Sequence, residues 1–187
     1  MIDLKTEKCI DMKNKFILKG FVMFTCMLIA FASHAQDKPK ASPAKTATGK
    51  AGGANITISY SAPSAKGRKV FGELVPFDKV WRAGANEATI FETDKDIMIE
   101  GQKLPAGKYS LYALPGANEW SFIFNSQTGQ WGIKRGGETS KDASKDVLTV
   151  KAKPAKSASM AETLAYEVTP TGFLLRWENT EVPVTIK

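Results

Sequence analysis

Cysteine and histidine are scarce in this chain of 187 residues, which has two cysteines and one histidine. All three of them, Cys9, Cys26 and His34, lie within the first 35 positions. The low cysteine count excludes a disulfide-dense scaffold. Beyond position 35, the chain cannot form a Ser-His-Asp triad, a cysteine nucleophile or a zinc site of thiolates and imidazoles. Any catalysis there has to use carboxylates, lysine, tyrosine, serine or threonine.

A concentrated positive charge is also missing from residues 55–187. The full chain has 26 basic and 19 acidic side chains, a net charge of +7. Residues 55–187 have 17 basic and 15 acidic side chains, a net charge of +2. A nucleic-acid-binding domain is expected to gather basic residues on its folded surface. The sequence therefore predicts no nucleic-acid partner.

The first 35 residues have the layout of a secretory signal peptide. An uncharged, mostly apolar run covers residues 21–32, and Ser33 and Ala35 occupy the −3 and −1 positions of a cleavage site. A run of 12 residues is too short for a bilayer, which takes about 20. We predict cleavage between Ala35 and Gln36, a periplasmic or extracellular location and no stable membrane anchor. Three lysines precede the run: Lys13, Lys15 and Lys19.

Residues 36–54 and the rest of the chain differ in composition. Alanine, lysine, proline, glycine, serine and threonine dominate residues 36–54. Because this composition offers little apolar surface to bury, we predict a flexible tether. From Asn55 onward, apolar and polar residues alternate, which predicts strands with one face packed and the other in water. The predicted inward-facing residues are Ile56, Ile58 and Tyr60; Tyr109, Leu111 and Ala113; Trp120, Phe122 and Phe124; Leu164, Tyr166 and Val168; Phe173, Leu175 and Trp177; and Val182, Val184 and Ile186.

Turn residues separate these runs. Glu100-Gly101-Gln102 links Ile97–Ile99 to the next segment, and Pro170-Thr171-Gly172 lies between two predicted strands, as in a hairpin. Residues 131–146 have few apolar side chains and predict a long loop. Many short strands without a long helical period predict an all-β fold. We predict a single-domain antiparallel β-sandwich over residues 55–187, jelly-roll-like or Ig-like.

The alternation breaks in segment 66–89, where polar side chains lie beside tryptophan and glycine. Arg82 offers a planar fork of donors that suits a carboxylate or phosphate. Trp81 offers an apolar platform for a sugar or ring. In an architectural alternative, Arg82 pairs with Glu87, Asn86 holds a turn and Trp81 belongs to the core. The predicted ligand-binding residues are Arg68, Trp81, Arg82, Asn86 and Glu87.

The other tryptophans divide by their phase in the alternation. Trp120 and Trp177 share the phase of the apolar residues, which predicts core positions. Trp131 lies before the predicted loop and is the better candidate for an exposed ring. The sequence has no calcium-loop, phosphate-loop or zinc-site pattern. We therefore predict no metal and no cofactor.

Two stretches resemble a known family. KGRKVFGELVPFDKVWRAGANEAT at residues 66–89 and LPAGKYSLYALPGANEWSFIFN at residues 104–125 are similar to the bacterial family catalogued as domain of unknown function 2911. The resemblance covers about residues 42–187 and implies an exported protein, typical of Bacteroidota-type bacteria, with no established activity. All five predicted ligand-binding residues match the motif. The chain departs from it at Phe77-Asp78, where the family usually has Tyr-Gly, and at Ala83, where it has Thr.

Two functions are compatible with this sequence. The preferred one is a non-catalytic exported module that binds a small molecule, a glycan or a partner protein around residues 82–87. The alternative is a carboxylate-dependent hydrolase acting on glycans, with Glu87 as one acid and Asp78 or Glu73 as the other. Two carboxylates about 5–10 Å apart in a cleft favour the hydrolase. An ion pair between Glu87 and Arg82 favours a binding or purely structural role.

Overall fold

The computed structural model describes residues 41–187, so the predicted signal peptide and residues 36–40 of the predicted tether lie outside it. Regular structure in this range is almost entirely β-strand, and none of its helices is long and apolar enough to cross a membrane. A short 3-10 turn covers Ala143–Lys145. The strands of the described range are β1 (Ala44–Ala51), β2 (Ala54–Ser61), β3 (Ala85–Thr93), β4 (Ile97–Ile99), β5 (Gln102–Leu104), β6 (Gly107–Leu114), β7 (Trp120–Asn125), β8 (Asp146–Ala152), β9 (Ala155–Thr169) and β10 (Gly172–Thr185).

Six strands form one antiparallel sheet in the order β1-β2-β3-β6-β7-β8. The hairpin β4–β5 is inserted between β3 and β6, and otherwise sheet neighbours follow one another along the chain. Strands β9 and β10 pair separately as a long antiparallel hairpin. These observations confirm the predicted all-β antiparallel sandwich and the single domain. The strand order, which the alternation left open, is that of a meander.

The hairpin β9–β10 and the six-stranded sheet share one hydrophobic core. Phe173 of β10 contacts Phe91 and Phe122 of the sheet, with ring centroids 5.8 and 5.6 Å apart. The predicted inward-facing residues are all buried except Val168, which is partly buried and packs against the core. Alternation succeeded here because successive side chains of a strand point to opposite faces.

Both predicted turns are present, and each connects two antiparallel strands. Glu100 and Gly101 connect β4 to β5 with φ angles of 46° and 78°. Two successive left-handed residues match the twist of a two-residue hairpin turn. Pro170 and Thr171 connect β9 to β10, and the Thr171 carbonyl accepts a hydrogen bond of 2.8 Å from the Ile186 amide. The chain end beyond β10 therefore returns to this turn.

The prediction of a flexible tether over residues 36–54 is wrong for Ala44–Ala51. These residues form β1, whose backbone pairs with β2 from Ala44↔Ser61 to Ala51↔Ala54. A strand at the edge of a sheet can be held by its backbone ladder, so small side chains do not exclude it. Because Gly49 has no side chain, β1 can lie close to Val168: a Cβ at position 49 would be 2.9 Å from the Cβ of Val168. The ordered domain consequently begins before Asn55.

The outer face of the large sheet is covered in one place. Tyr112 and Ile123 have the phase of outward-facing residues, yet they are buried in a small second cluster with Ala88. Gln130, from the chain after β7, donates from Nε2 to the Tyr112 hydroxyl at 3.0 Å. The Gln130 carbonyl accepts from the Ala88 amide at 3.1 Å. These contacts bring the predicted long loop onto the sheet, beside Arg82.

Candidate functional site

A concave pocket of about 1010 Å³ lies between the segment before β3 and the loop before β8. Residues 74–82 form much of one wall, and Ile133 and residues 136–139 form another. Of the predicted ligand-binding residues, Arg68, Trp81 and Arg82 line this pocket, whereas Asn86 and Glu87 do not. The structure thus brings three of the five together at one cavity.

Stacked indole rings form an apolar part of the pocket wall. Trp81 and Trp177 lie with ring centroids 6.0 Å apart and an interplanar angle of 23°. The Trp81 amide donates to the Ala113 carbonyl at 2.7 Å, and the Ala113 amide donates back at 2.8 Å. The Trp81 indole Nε1 donates to the Gly84 carbonyl at 3.1 Å. Trp81 is therefore held by β6 and by its own turn.

Trp177 differs from Trp81 in the hydrogen bonding of its indole Nε1. Its Nε1 is buried and has no hydrogen-bond partner among the residues that the structure describes. Buried indole N–H groups usually find an acceptor, and leaving one unpaired costs about 1–3 kcal/mol. Trp177 also lines the pocket, so this donor belongs to a residue of the pocket wall.

Arg82 connects the segment before β3 to the chain after β7. Its Nη1 donates to the Trp131 carbonyl at 3.1 Å, and its guanidinium carbon lies 5.3 Å from the centroid of the Trp131 ring. Trp131 is 50% exposed, so the prediction of an exposed ring is confirmed. Burial lowers the pKa of the Arg82 guanidinium from its ordinary value, and attraction to the Glu87 carboxylate offsets part of this shift.

Asn86 and Glu87, which do not line the pocket, make contacts elsewhere. Asn86 has a left-handed backbone with φ of 56°, and its Nδ2 donates to the Ser42 carbonyl at 3.1 Å. This bond ties the chain ahead of β1 to β3, so it is an architectural contact but does not hold a turn as the alternative expects. Glu87 is exposed and acts on Arg82 by electrostatic attraction. Arg68 lies at the pocket, where its Nε and Nη2 donate to the Ala65 and Ser64 carbonyls at 2.8 Å each.

The carboxylates considered for hydrolysis are not gathered in this pocket. Asp78 lines it, but Glu73 and Glu87 do not. Glu73 is exposed and pairs with Lys69 across 3.8 Å. A further carboxylate in the lining, Glu138, was not singled out from the sequence. Within residues 41–187, no group of three or more histidine, cysteine, aspartate or glutamate side chains is placed to hold a metal ion.

Sequence reasoning missed the pocket role of Trp177 and of the loop at residues 133–139. The alternation correctly placed Trp177 in the core, where it is 1% exposed. Its contact with Trp81 joins the middle of β10 to a turn before β3, and no local pattern records such a contact. The unpaired Nε1 of Trp177 is likewise evident only from the three-dimensional structure.

Arg82→Ala should lower the free energy of unfolding by about 1–3 kcal/mol, because one charged hydrogen bond and one partly exposed cation–π contact are lost. This is less than the roughly 3–5 kcal/mol expected when a buried ion pair loses one partner, since Glu87 is exposed. Urea denaturation measures the difference. Arg135→Ala, an exposed position on the facing loop, is the control and should change stability by no more than about 0.5 kcal/mol. Equal losses in the two variants would show that the Trp131 contacts contribute nothing.

Comparison with known proteins gives a family match and no individual relative. A family model described as "Protein of unknown function (DUF2911)" matches residues 42–186. No significant match was found among curated proteins or among solved structures. The matched range begins two residues before β1 and so includes the edge strand.

Proposed function

The chain belongs to the DUF2911 family of proteins of unknown function, and we propose that it is a non-catalytic binding protein for a small organic molecule. The ligand occupies the pocket between residues 74–82 and the loop at residues 133–139. The observation that carries this proposal is that the stacked residues Trp81 and Trp177 and the basic residue Arg82 line one cavity of about 1010 Å³.

The size and lining of the cavity support a small ligand. Ligand pockets commonly have volumes of roughly 300–1000 Å³ and combine an apolar lining with a few polar groups. Here the apolar part includes Leu74, Val75 and the two indoles, and the polar part includes Arg68 and Arg82. A concave site of this kind suits a small molecule better than the flat surface of a partner protein.

The arrangement of carboxylates gives the hydrolase alternative no specific support. Glycosidases place two carboxyl groups on either side of the bond that breaks, and Glu87 lies outside the pocket lining. Asp78 and Glu138 do line it, but both are exposed. The general acid of a glycosidase is typically kept protonated by an apolar environment. Binding without catalysis is therefore the proposal.

A thermal-shift screen of a small-molecule library tests this function. Compounds that bind the pocket should raise the melting temperature of the wild type, and Leu74→Asp should reduce the effect because it puts a charge into the apolar wall. Met98→Asp is the matched control, since Leu74 and Met98 are both 40% exposed and only Leu74 lines the pocket. If no compound gives a shift, or if every compound loses its shift equally in both variants, the pocket is not the binding site.

Export is part of the proposal and rests on the sequence of the first 35 residues. Protein isolated from the cell envelope should have the intact mass of a chain that begins at Gln36. Ala35→Phe should slow this processing, because the −1 position requires a small residue. A full-length mass, or a mass that includes lipid on Cys26, would contradict cleavage at this position.

A further inference from the structure

A residue that lines the proposed pocket, Trp177, has a buried donor without a partner. Trp81 and Trp177 are stacked, and Trp81 donates from Nε1 to the Gly84 carbonyl at 3.1 Å. Nε1 of Trp177 has no such acceptor among the described residues. Since the penalty of an unpaired buried N–H is already present in the fold, a ligand atom that accepts from it gains affinity by removing that penalty.

Positive charge near the same wall favours an acceptor that is anionic. Arg68 and Arg82 both line the pocket, and a guanidinium carries five N–H donors in a fixed plane. Arg68 uses Nε and Nη2 for backbone carbonyls, and Arg82 uses Nη1 for the Trp131 carbonyl. The remaining donors of each fork suit carboxylate oxygens. Asp78 and Glu138 also line the pocket, but Arg68, Lys79 and Arg82 outnumber them, so the lining has a net charge of +1.

We propose that the ligand is an organic carboxylate with a flat, apolar body. This inference rests on the proposed binding function and adds the chemical class of the ligand. The body lies against the partly exposed Trp81 indole, one carboxylate oxygen accepts from Nε1 of Trp177, and Arg82 balances the charge. Because Nε1 has almost no accessible surface, the pocket wall shifts slightly as the oxygen enters.

Three probes that share one ring separate the contributions of body and carboxylate: phenylacetate, phenylacetamide and ethylbenzene. Each is titrated into ¹⁵N-labelled protein while the indole N–H signals are followed. Phenylacetate should bind at least about 10-fold more tightly than ethylbenzene, a difference of about 1.4 kcal/mol. The Trp177 signal should move most, and the Trp81 signal should move less because its N–H already has an acceptor. Trp177→Phe assigns the signal, and Trp120→Phe is the control for a core indole that does not line this pocket.

Arg82→Gln and Arg82→Lys test the charge without relying on the tryptophan variants. Arg82→Gln should weaken phenylacetate binding about 10-fold and leave phenylacetamide and ethylbenzene unchanged. Arg82→Lys, which keeps the positive charge, should lose less affinity for phenylacetate than Arg82→Gln does. An equal loss for all three probes would show that Arg82 only shapes the wall, and the assignment of the carboxylate would be wrong.

Different results would refute the carboxylate class and the proposed binding function. If ethylbenzene binds as tightly as phenylacetate, or if the Trp177 signal stays fixed while other pocket signals move, the carboxylate class is wrong and the binding function stands. If none of the three probes moves any pocket signal, the carboxylate class is again wrong. The library screen with Leu74→Asp then decides the binding function on its own.

Discussion

Replacing Phe122 by alanine should lower the free energy of unfolding by about 3–5 kcal/mol, the usual range for a large aromatic side chain removed from a core. Phe122 is fully buried in β7, and its ring lies 5.6 Å from the Phe173 ring of the opposite layer. The truncation leaves a cavity between the two layers that the surrounding rings cannot fill completely. Urea denaturation followed by far-UV circular dichroism measures the loss.

The neighbouring position provides the control for Phe122. Ser121 lies on the same strand and points to the opposite face, where it is partly exposed. Ser121→Ala should change the stability by no more than about 0.5 kcal/mol. Leu175→Ala, in the covering hairpin, should cost about 2–5 kcal/mol. Similar small effects in all three variants would contradict the packing of hairpin against sheet.

Gly172→Ala should destabilise the protein by at least about 2 kcal/mol, because strain and a steric clash act together. The φ angle of Gly172 is 151°, and a Cβ built there would lie 1.9 Å from the Val184 carbonyl oxygen and 3.0 Å from the Ile186 nitrogen. Both neighbours are backbone atoms, so the end of β10 has to move away from the turn. The midpoint of thermal or urea unfolding reports this loss.

Gly53→Ala distinguishes the clash from the backbone strain. Gly53 has a φ angle of 77°, and a Cβ built there would meet no atom within 4 Å. Its substitution should cost about 1–2 kcal/mol, the penalty of a left-handed backbone for a residue with a side chain. If Gly172→Ala costs no more than Gly53→Ala, the contact between β10 and its own hairpin turn does not contribute to stability.

The two failures of sequence reasoning in the fold have a common cause. Strand β1 has no large apolar side chain, and its order comes from hydrogen bonds to the backbone of β2, which composition does not report. Tyr112 and Ile123 have the correct strand phase, but the chain after β7 covers them from the outside. In both cases, a partner distant in the sequence supplies the burial or the hydrogen bonds.

In the candidate site too, local sequence patterns identified some residues correctly and failed where the contacts depend on the tertiary structure. Polar residues interrupt the alternation in segment 66–89, which predicts a site there, and Arg68, Trp81 and Arg82 of this segment do line the pocket. Proximity in sequence also suggested Asn86 and Glu87, but the side chain of Asn86 holds the chain ahead of β1, and Glu87 lies outside the pocket lining. Neighbours in a sequence can face different sides of a strand, so a cluster of polar residues does not establish a shared cavity.

The sequence by itself determined the all-β class, the inward-facing residues and the positions of the two turns, because side-chain alternation and turn conformation are local properties. Only the tertiary structure decided the meander order, the edge strand β1 and the pocket. The stack of Trp81 on Trp177 and the bond from Arg82 to the Trp131 carbonyl show the reason. Each joins segments far apart in the chain, and their meeting depends on how the hairpin β9–β10 and the long loop pack against the sheet.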